Sequence, residues 1–377
     1  MRILFIISSL APGGAEVLVR NLAIMMAGRG QKVMVAYISS ARDGGTDSEY
    51  EQYFLDMLKN HGVEVFELGH DCRTLPWRGA QQLRRIVDRF NPDLMHIHLG
   101  YGLLFQALGR IRVPTIFTLH NIRLSFPRSL FRVFDTFIDR NVAICAPCEA
   151  VLRRCSRRPL ARIANGSPVE AGRSVAPRQY PQLGVTVLSV GALIAQKGYR
   201  TLIQAAACVV QQFDDRRMPI QFLIAGDGPK RKSLQAEIGR RGLEGRVVLL
   251  GARVDVSEVM ARSDLLVMSS RYEGLPVALI EGHRAGLPVV ATDVGGCNEI
   301  VRQGVSGRLV PPGAPDMLAD AIVWALADPK RYEMMSRQAL AAGEAFDIEK
   351  CVDRHLAVYQ EVCAEYHPQF VVSQESA

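Results

Sequence analysis

The chain has 377 residues, 48% hydrophobic and 22% charged, which suffices for about two or three domains with buried cores. No uninterrupted apolar run approaches the ~18 residues of a membrane-spanning helix, which excludes an integral membrane protein and favours a soluble or peripheral one. The net charge of +7 comes entirely from residues 1–168 and favours an anionic partner for that half. Nucleic acid is not expected, because no recognition motif accompanies the charge. The eight cysteines show no framework spacing, which predicts reduced thiols in a cytosolic protein.

Short apolar runs with helical patterns between them predict parallel strands in the first half of the chain. The first run is followed by Pro12 and two glycines instead of a signal-peptide cleavage site, so it predicts a buried strand. The segments between the runs are long enough for crossover helices. The predicted strands are Ile3 to Ile7, Lys32 to Ile38, Val63 to Leu68, Leu94 to His98, Thr115 to Leu119 and Asn141 to Cys145.

The same rhythm restarts after a segment rich in proline, glycine and polar residues, which predicts a linker. A second parallel sheet is predicted from Val185 to Val190, Gln221 to Ala225, Val247 to Leu250, Leu265 to Met268, Pro288 to Thr292 and Gly307 to Val310. We expect an α/β protein with two Rossmann-like domains whose parallel sheets face a central cleft. The predicted parts are an N-terminal domain over 1–168, a linker over 169–184, a C-terminal domain over 185–345, and a helix over 346–368 that packs back towards the first domain.

The segment from Ser269 to Glu281 carries the strongest local signal. It follows a predicted buried strand and turns at Gly274 into a helix, with Pro276 expected in the first turn. Glu281 would lie about two turns, roughly 11 Å, along the axis from Glu273. That distance exceeds the roughly 5–9.5 Å between the paired carboxylates of a glycosidase. It suits two acids that hold different parts of one extended ligand.

Backbone amides and glycines near these acids favour an anionic ligand. The amides of Leu275, Val277 and Ala278 would lie at the amino end of the helix and attract a diphosphate. Gly13 and Gly14 could form only a turn after the first strand. The preferred interpretation is that their missing side chains let a phosphate or sugar approach the backbone.

Glu273 and Glu281, separated by seven residues, match the E-x7-E motif of the retaining family-4 (group 1) glycosyltransferases, which have the GT-B fold. The chain resembles this family almost end to end, and the set of matching segments is specific because it keeps the family's order. The matching segments are Gly13-Gly14-Ala15-Glu16, Pro92 to His98, Thr118 to Asn121, Val190-Gly191 with Lys197-Gly198, Ala225 to Pro229, Ser263-Asp264, and Gly295-Gly296 with Glu299.

The resemblance implies a role for several side chains. Glu281 would grip the ribose hydroxyls of a nucleotide, and Glu273 would contact the transferring sugar near C3. Lys197 would neutralise the leaving diphosphate, and His120 would lie beside the sugar. The implied catalytic residues are Glu273, His120 and Lys197. The implied donor-binding residues are Gly13, Gly14, Gly191, Lys197, Gly226, Gly274, Leu275, Pro276, Val277 and Glu281, and His98 and Asn121 are implied on the acceptor side.

One position departs from the family pattern. The family often has an arginine after the glycine of the phosphate-binding strand, and this chain has Ala192 there. Arg271 or Arg200 could replace it, and Lys197 would then carry more of the charge compensation.

Neither a cofactor nor a metal is expected. The chain has no Asp-x-Asp pair of the kind that holds Mg²⁺ or Mn²⁺ against a diphosphate, so lysine and helix amides would replace the ion. His96 and His98 share one strand face, which is compatible with a metal site. Without a neighbouring carboxylate motif, a buried and hydrogen-bonded His96 with His98 at the mouth of the cleft is the preferred interpretation.

Nine arginines lie between Arg123 and Arg162 against three acidic residues. Apolar side chains recur there at helical spacing: Pro127, Leu130, Phe131, Phe134, Phe137 and Ile138. The apolar stripe could face the core of its own domain. Alternatively, residues 123–162 could dock on an anionic membrane surface, as a lipid-linked acceptor would require.

The predicted activity is transfer of a hexose from a UDP- or GDP-sugar to a hydroxyl of a glycan or lipid-linked saccharide, in cell-surface polysaccharide biosynthesis. The expected location is cytoplasmic, with peripheral attachment to the inner face of the membrane as an option. A nucleotide-sugar epimerase or a non-catalytic sugar-nucleotide-binding protein are the alternatives. A nicotinamide dehydrogenase is disfavoured because Gly13 and Gly14 lack the full G-x-G-x-x-G fingerprint.

Overall fold

The computed structural model describes residues 1–40, 48–168 and 176–366. They form two compact units, each with its own parallel sheet. The first unit holds the described residues of Met1–Ala11, Ala15–Asn165 and Ile348–Ala377, and the second holds Pro12–Gly14 and those of Gly166–Asp347. Of the predicted linker, residues 169–175 lie outside the described residues and 176–184 belong to the second unit.

The sheet of the first unit has seven strands, and every neighbouring pair is parallel. Its order is β3-β2-β1-β4-β5-β6-β7, so the direction of winding reverses between β1 and β4. The strands are β1 (Arg2–Ile7), β2 (Lys32–Tyr37), β3 (Glu64–Glu67), β4 (Leu94–Ile97), β5 (Thr115–Leu119), β6 (Arg140–Ala143) and β7 (Leu160–Arg162).

The helices of the first unit lie between these strands, and one of them comes from the far end of the chain. Each is amphipathic enough to bury one stripe. In Pro76–Phe90, for example, Leu83, Ile86 and Phe90 are buried, proline begins the helix, and a left-handed Asn91 ends it. The helices are Gly14–Gly28, Ser48–Asn60, Pro76–Phe90, Gly100–Gly109, Arg128–Phe134, Ala146–Cys155 and Ile348–Tyr366, with 3-10 turns at His70–Arg73 and Asp135–Phe137.

The final helix, Ile348–Tyr366, completes the core of the first unit. Val352, Tyr359 and Val362 are fully buried on one face of this helix. They belong to the same apolar cluster as Phe5 of β1 and Val35 of β2. The first unit is therefore assembled from the two ends of the chain. Residues 367 and 368 of the predicted helix lie outside the described residues.

The second unit has a six-stranded parallel sheet in the order β10-β9-β8-β11-β12-β13. Its winding reverses between β8 and β11. The strands are β8 (Val185–Val190), β9 (Ile220–Ala225), β10 (Val247–Gly251), β11 (Leu265–Met268), β12 (Val289–Thr292) and β13 (Gly307–Val310). The helices are Tyr199–Asp215, Arg231–Arg240, Val256–Ala261, Val277–Arg284, Cys297–Ile300, Pro315–Leu326 and Pro329–Gly343, with 3-10 turns at Ala195–Lys197 and Glu344–Phe346.

Residues just before β8 are fastened to the second unit. The guanidinium of Arg178 donates to the carbonyl of Ala285 at 3.0 Å, and its backbone amide donates to Ser336 Oγ at 2.6 Å. The hydroxyl of Tyr180 donates to the carbonyl of Leu326 at 2.8 Å. This part of the predicted linker is thus ordered by hydrogen bonds to the second unit.

The predicted fold class, two α/β units with parallel sheets, is confirmed. In open α/β sheets ligands bind outside the carboxyl ends of strands, where the winding reverses. We therefore expect ligands to bind at the loops after β1 and β4 in the first sheet and after β8 and β11 in the second. Within the described part of the chain, no helix combines the length and the apolar character of a membrane span.

Candidate functional site

Glu273 lies after β11 with its carboxylate almost completely buried, 6% exposed. Its Oε1 accepts hydrogen bonds from Lys197 Nζ and from Ser270 Oγ, each at 2.7 Å. Its Oε2 has a longer contact of 3.4 Å with the amide of Gln196. The structure thus brings together two residues that the sequence assigns to catalysis, Glu273 and Lys197. Each comes from a loop at the point where the winding of the second sheet reverses.

The loop that carries Lys197 is bonded directly to the loop after β11. Ser269 Oγ donates to the carbonyl of Lys197 at 3.0 Å, and the amide of Arg271 donates to the carbonyl of Gln196 at 2.7 Å. Gly198 has φ +64°, and a Cβ on it would lie 2.2 Å from the carbonyl oxygen of Ser269. Only glycine permits this approach, so Gly198 allows the backbone of the loop that carries Lys197 to lie against the loop after β11.

Gly191 and Gly226 follow the neighbouring strands β8 and β9, and their backbones are in contact. A Cβ on Gly226 would lie 2.1 Å from the carbonyl oxygen of Gly191. That carbonyl also accepts a hydrogen bond of 2.8 Å from the hydroxyl of Tyr199. These two predicted donor-binding glycines therefore have a packing role that stands whatever they bind.

The helix Val277–Arg284 begins one residue later than the sequence predicts. Pro276 has extended backbone angles and precedes the first turn, and its carbonyl accepts from the amides of Leu279 and Ile280. The amides that a helix leaves unpaired at its amino end are therefore those of Val277 and Ala278. The prediction that Pro276 lies in the first turn is wrong. Leu275 precedes the helix, and its role in donor binding stays a prediction.

The remaining predicted donor-binding residues lie around this helix. Gly274 precedes it, and the carbonyl of Gly274 accepts from the amide of Gly296 at 2.7 Å. Glu281 is half-buried in the second turn. Gly13 lies between β1 and the helix Gly14–Gly28 and is half-buried, and Gly14 begins that helix and is exposed.

His98 and His120 follow β4 and β5 of the first unit, and the structure joins them directly. His98 Nδ1 lies 2.8 Å from His120 Nε2. His98 is 1% exposed, which differs from its expected position at the mouth of a cleft, whereas His120 is half-buried. Burial lowers the pKa of His98 well below its usual value and that of His120 to about 3, and neighbouring histidines add to both shifts. Both rings are therefore neutral near pH 7.

Asn121 and His96 complete this region. The Oδ1 of Asn121 is buried and has no hydrogen-bond partner among the described residues. An orphaned buried polar atom of this kind is uncommon and points to an absent ligand or water. His96 is fully buried and bonded through both ring nitrogens, to Tyr359 at 2.5 Å and to Thr118 at 2.7 Å. The expected buried and bonded His96 is therefore present.

The two arginines considered as replacements at the Ala192 position both belong to the second unit. Arg200 and Arg271 line a cavity of about 330 Å³ together with Lys230 and Arg240. Lys197 is not among its lining residues. Gly198 lines the same cavity, and the amide of Arg271 donates to the carbonyl of Gln196, so the cavity lies beside the loop that carries Lys197.

The described residues also bear on the expectation about a metal and on the basic stretch from Arg123 to Arg162. In the described residues, no group of three or more histidine, cysteine or acidic side chains could hold a metal ion. In the basic stretch, the helix Arg128–Phe134 buries Phe131 and Phe134 in its own unit and exposes Leu130 and Val133. The aromatic side chains thus face the core, while two smaller apolar side chains remain at the surface.

Sequence reasoning missed some partners of these residues. Ser270 and Gln196 hold Glu273, and Tyr359 and His355 lie beside His96. Ser270 stands three residues before Glu273, and a search for hydroxyls near the acid could have found it. Tyr359 lies 263 residues after His96, on the same helix as His355, and no local sequence pattern predicts these contacts.

Two family models match adjoining parts of the chain. Residues 12–170 match the model described as Glycosyltransferase Family 4, and residues 180–341 match Glycosyl transferases group 1. Each match lies almost wholly within one of the two sheet-containing halves. The matches agree with the family that the E-x7-E pattern resembles.

Proteins of similar sequence include two that are named as transferases of sugars and one that is named as a synthase. N-acetyl-alpha-D-glucosaminyl L-malate synthase of Bacillus anthracis is 24% identical, over 93% of this chain and 94% of the relative. Phosphatidyl-myo-inositol mannosyltransferase of Mycobacterium leprae is 28% identical over the same shares. Alpha-D-kanosaminyltransferase of Streptomyces kanamyceticus is 35% identical over 47% of this chain, and the match spans 45% of that relative.

Solved structures share the fold along nearly the whole chain. Alr3699/HepE of Anabaena in complex with UDP-glucose has a TM-score of 0.79 at 23% identity, covering 96% of this chain and all of that one. Sucrose-phosphate synthase of Thermosynechococcus elongatus has a TM-score of 0.75 at 19% identity, covering 97% of this chain and all of that one. With the two family models and two parallel α/β units, the chain belongs to the group 1 glycosyltransferases of the GT-B fold.

Proposed function

We propose that the chain is a retaining hexosyltransferase that takes its sugar from a UDP- or GDP-linked donor and attaches it to a hydroxyl of a glycan or lipid-linked saccharide. The observation that carries the proposal is the ion pair of the buried Glu273 with Lys197, 2.7 Å between Oε1 and Nζ, where β8 and β11 end. A fixed cation beside a fixed acid suits a substrate with a diphosphate leaving group and a hydroxyl-bearing transferred group. The Anabaena protein of the same fold was solved with UDP-glucose, and the mycobacterial relative is named for a lipid acceptor.

In this proposal Lys197 binds the diphosphate of the donor and Glu273 binds the sugar that is transferred. An ammonium group has three N–H donors, and Lys197 uses one on Glu273, which leaves others for the oxygens of the diphosphate. Oε1 of Glu273 already accepts from Lys197 and Ser270. Oε2 has only the long contact from Gln196 and is the oxygen that accepts a hydroxyl of the transferred sugar.

The nucleotide portion binds along the same unit. Glu281 accepts hydrogen bonds from the ribose hydroxyls, and the amides of Val277 and Ala278 stabilise the diphosphate charge at the amino end of their helix. Gly191 and Gly226 leave room beside the strand ends for the donor. Fixed groups neutralise the leaving diphosphate, so the reaction is independent of a metal ion.

The first unit supplies the groups on the acceptor side. His120 contacts the transferred sugar, and the orphaned Oδ1 of Asn121 accepts a hydrogen bond from a hydroxyl of the acceptor. His98 is fully buried, so it acts through His120 and not by touching a substrate.

The exposed face of the helix Arg128–Phe134 binds an anionic membrane surface on the cytoplasmic side. This binding places the enzyme near lipid-linked acceptors. Leu130 and Val133 are 38% and 55% exposed there, beside exposed Arg128 and Arg132. Co-sedimentation with phosphatidylcholine vesicles, with and without phosphatidylglycerol, tests this part. Binding to the anionic vesicles that is lost in Arg128→Glu/Arg132→Glu is expected, and no binding at low salt would end the membrane proposal.

The function is tested by a panel of UDP- and GDP-sugars. A bound donor raises the unfolding temperature, since a ligand at 100 times its Kd adds about 2.7 kcal/mol to stability. The donor found in this way is then incubated with saccharide acceptors, and the anomeric configuration of the product is read by NMR. Glu273→Gln should lose turnover, and the exposed Glu244→Gln should not.

Other results would favour a different protein class. An isomerised free nucleotide sugar without transfer would indicate an epimerase. Donor binding without turnover in the wild type, with Glu273→Gln as competent as the wild type, would indicate a binding protein. An inverted product would overturn retention while leaving the transferase assignment in place.

A further inference from the structure

Four histidines of the first unit lie close together, and only His120 among them contacts a substrate in the proposed chemistry. We call His96, His98, His120 and His355 the histidine cluster. The ring centroids of His96 and His98 lie 3.9 Å apart, and those of His96 and His355 lie 5.6 Å apart. His98 and His120 are joined by the 2.8 Å hydrogen bond between Nδ1 and Nε2. The cluster joins β4, β5 and the C-terminal helix.

The hydrogen-bond partners of His355 and His96 decide which ring nitrogen of each carries the proton. His355 Nδ1 lies 2.8 Å from the carbonyl oxygen of Cys351, which can only accept, so this nitrogen carries the proton. His96 Nδ1 faces the hydroxyl of Tyr359, and burial raises the pKa of that tyrosine, so the hydroxyl keeps its proton. Tyr359 has no other hydrogen-bond partner among the described residues and therefore donates to His96. His96 Nε2–H then donates to the hydroxyl oxygen of Thr118 at 2.7 Å.

The bond between His98 and His120 can be made in two ways, and the other nitrogen of His98 distinguishes them. His98 Nε2 is buried and has no partner among the described residues. If His120 donated, His98 would carry its proton on Nε2, as a buried N–H without an acceptor. If His98 donates, its Nε2 is a bare acceptor. Buried N–H groups without an acceptor are rarer in native proteins than acceptors without a donor, which favours donation by His98.

We propose that His98 is a positioning residue that donates from Nδ1 to Nε2 of His120 and so keeps the proton of His120 on Nδ1. His120 then meets a substrate oxygen as a neutral hydrogen-bond donor and not as a general base. This inference rests on the proposed function, because His120 is assigned to the sugar there. The chemistry follows from the tautomer: the one nitrogen of His120 left for a ligand carries a hydrogen and has no lone pair to accept a proton.

The surroundings of His120 keep it neutral. Burial and the neighbouring ring of His355 both lower the pKa of His120, with burial the larger cause. His98 and His96 are held neutral for the same reasons, so the cluster contains no positive charge near pH 7. A neutral donor can bind a sugar hydroxyl without competing for the proton of the acceptor nucleophile.

The test combines a tautomer measurement with two variants at the same position. Protein labelled with ¹⁵N at histidine, with the His120 signals assigned from their loss in His120→Gln, reports which ring nitrogen carries hydrogen. We expect Nδ1–H for His120 in the whole chain at pH 7.5, unchanged down to pH 5. An Nε2–H tautomer, or an imidazolium signal at pH 7.5, would overturn the inference.

His98→Asn keeps an N–H close to the position of Nδ1, and His98→Leu removes it at similar volume. His98→Leu should give mixed tautomers at His120 and lower kcat at least about tenfold with little change in the KM for donor, because loss of one oriented hydrogen-bond donor at a reacting group costs about 10²- to 10³-fold. His98→Asn should restore both readouts towards wild type. Equal kcat and an unchanged His120 tautomer in the leucine variant would show that His98 only fills space.

These outcomes separate the inference from the function on which it rests. Should the wild type transfer no sugar, the proposed function fails, while the ¹⁵N spectra still decide whether His98 sets the tautomer. Should the wild type transfer sugar and His98→Leu do so equally well, the inference fails and the proposed function stands.

Discussion

The two carboxylate oxygens of Glu273 have different surroundings, and this difference assigns each a task. Oε1 is saturated by the ammonium of Lys197 and the hydroxyl of Ser270, whereas Oε2 has one long contact. A carboxylate anchored on one side presents its other oxygen in a fixed direction. The acid is therefore oriented before any substrate arrives, which is how electrostatic preorganisation lowers a barrier.

Replacing Lys197 by methionine tests the charge at this site, because the side chain keeps its length and loses its ammonium. We expect kcat/KM to fall by about 10²- to 10³-fold, the usual cost of one lost electrostatic contact to a developing negative charge. Steady-state transfer with the donor identified above measures it. Dialysis of the wild type against EDTA should leave its rate unchanged.

Two controls accompany the lysine variant. Lys232→Met, on an exposed helical position of the same unit, should keep full activity. Thermal unfolding checks folding, because Lys197→Met also leaves the buried acid with only its neutral partners. Full activity in a folded Lys197→Met protein, or rescue of a dialysed wild type by Mn²⁺, would contradict the proposed charge compensation.

At the level of elements, most strands could be predicted from the sequence, whereas the short edge strand β7 and the start of the helix Val277–Arg284 could not. Continuous apolar runs located the predicted strands to within two residues, since a strand covered on both faces must be apolar throughout. β7 was missed, because Leu160–Arg162 has only three residues and lies at the edge of the sheet. The start of Val277–Arg284 was misplaced, since Pro276 is compatible with either side of a helix boundary.

The loop that carries Lys197 depends on one glycine, and the chain contains a matched control for it. Gly198 and Gly242 both have φ +64°, but a Cβ on Gly198 would meet Ser269 O at 2.2 Å and one on Gly242 would meet nothing within 4 Å. Gly198→Ala should therefore displace Lys197 and abolish most transfer, whereas Gly242→Ala should cost only the strain of a left-handed alanine, roughly 1–2 kcal/mol. Activity and unfolding temperature of the two proteins measure this.

The comparison between these glycines separates the effect of the contact with Ser269 from the effect of the positive φ angle, which both glycines share. Similar losses of activity in Gly198→Ala and Gly242→Ala would mean that strain alone is responsible. Full activity in Gly198→Ala would mean that the loop relaxes without moving the ammonium group.

For the whole molecule, the site was predictable from motifs only where its residues lie close along the chain. Glu273 and Glu281 belong to one segment and could be paired from their spacing. The histidine cluster could not, because His355 and Tyr359 lie on the C-terminal helix and reach His96 only after the first unit has folded. Long-range packing decides such contacts, and a single sequence contains no local signature of them.

The histidine cluster makes the stability of the protein sensitive to acid. Unfolded histidine has a pKa near 6.5, whereas burial lowers the pKa of His120 to about 3 and of His355 to about 4. Below pH 6.5 the unfolded chain therefore binds protons that the folded chain does not. Stability is complete above about pH 6.5 and falls with decreasing pH, by up to about 1.4 kcal/mol per pH unit for each such histidine.

Chemical denaturation at pH 7.5 and pH 5.5 measures this loss. His355→Gln should make this decrease in stability with falling pH smaller, because one histidine with a lowered pKa has been removed. A free energy of unfolding that is equal at the two pH values would contradict the neutral cluster.

The place of Ile348–Tyr366 in the core of the first unit sets an order of events during synthesis. Residues 166–347 can leave the ribosome and close around their own sheet while the first unit still lacks its final helix. The half that is translated first thus matures after the second unit, and its apolar surface around Phe5 and Val35 stays uncovered until residues 348–366 have been made. We expect a nascent chain to need protection of this surface until the helix Ile348–Tyr366 has left the ribosome.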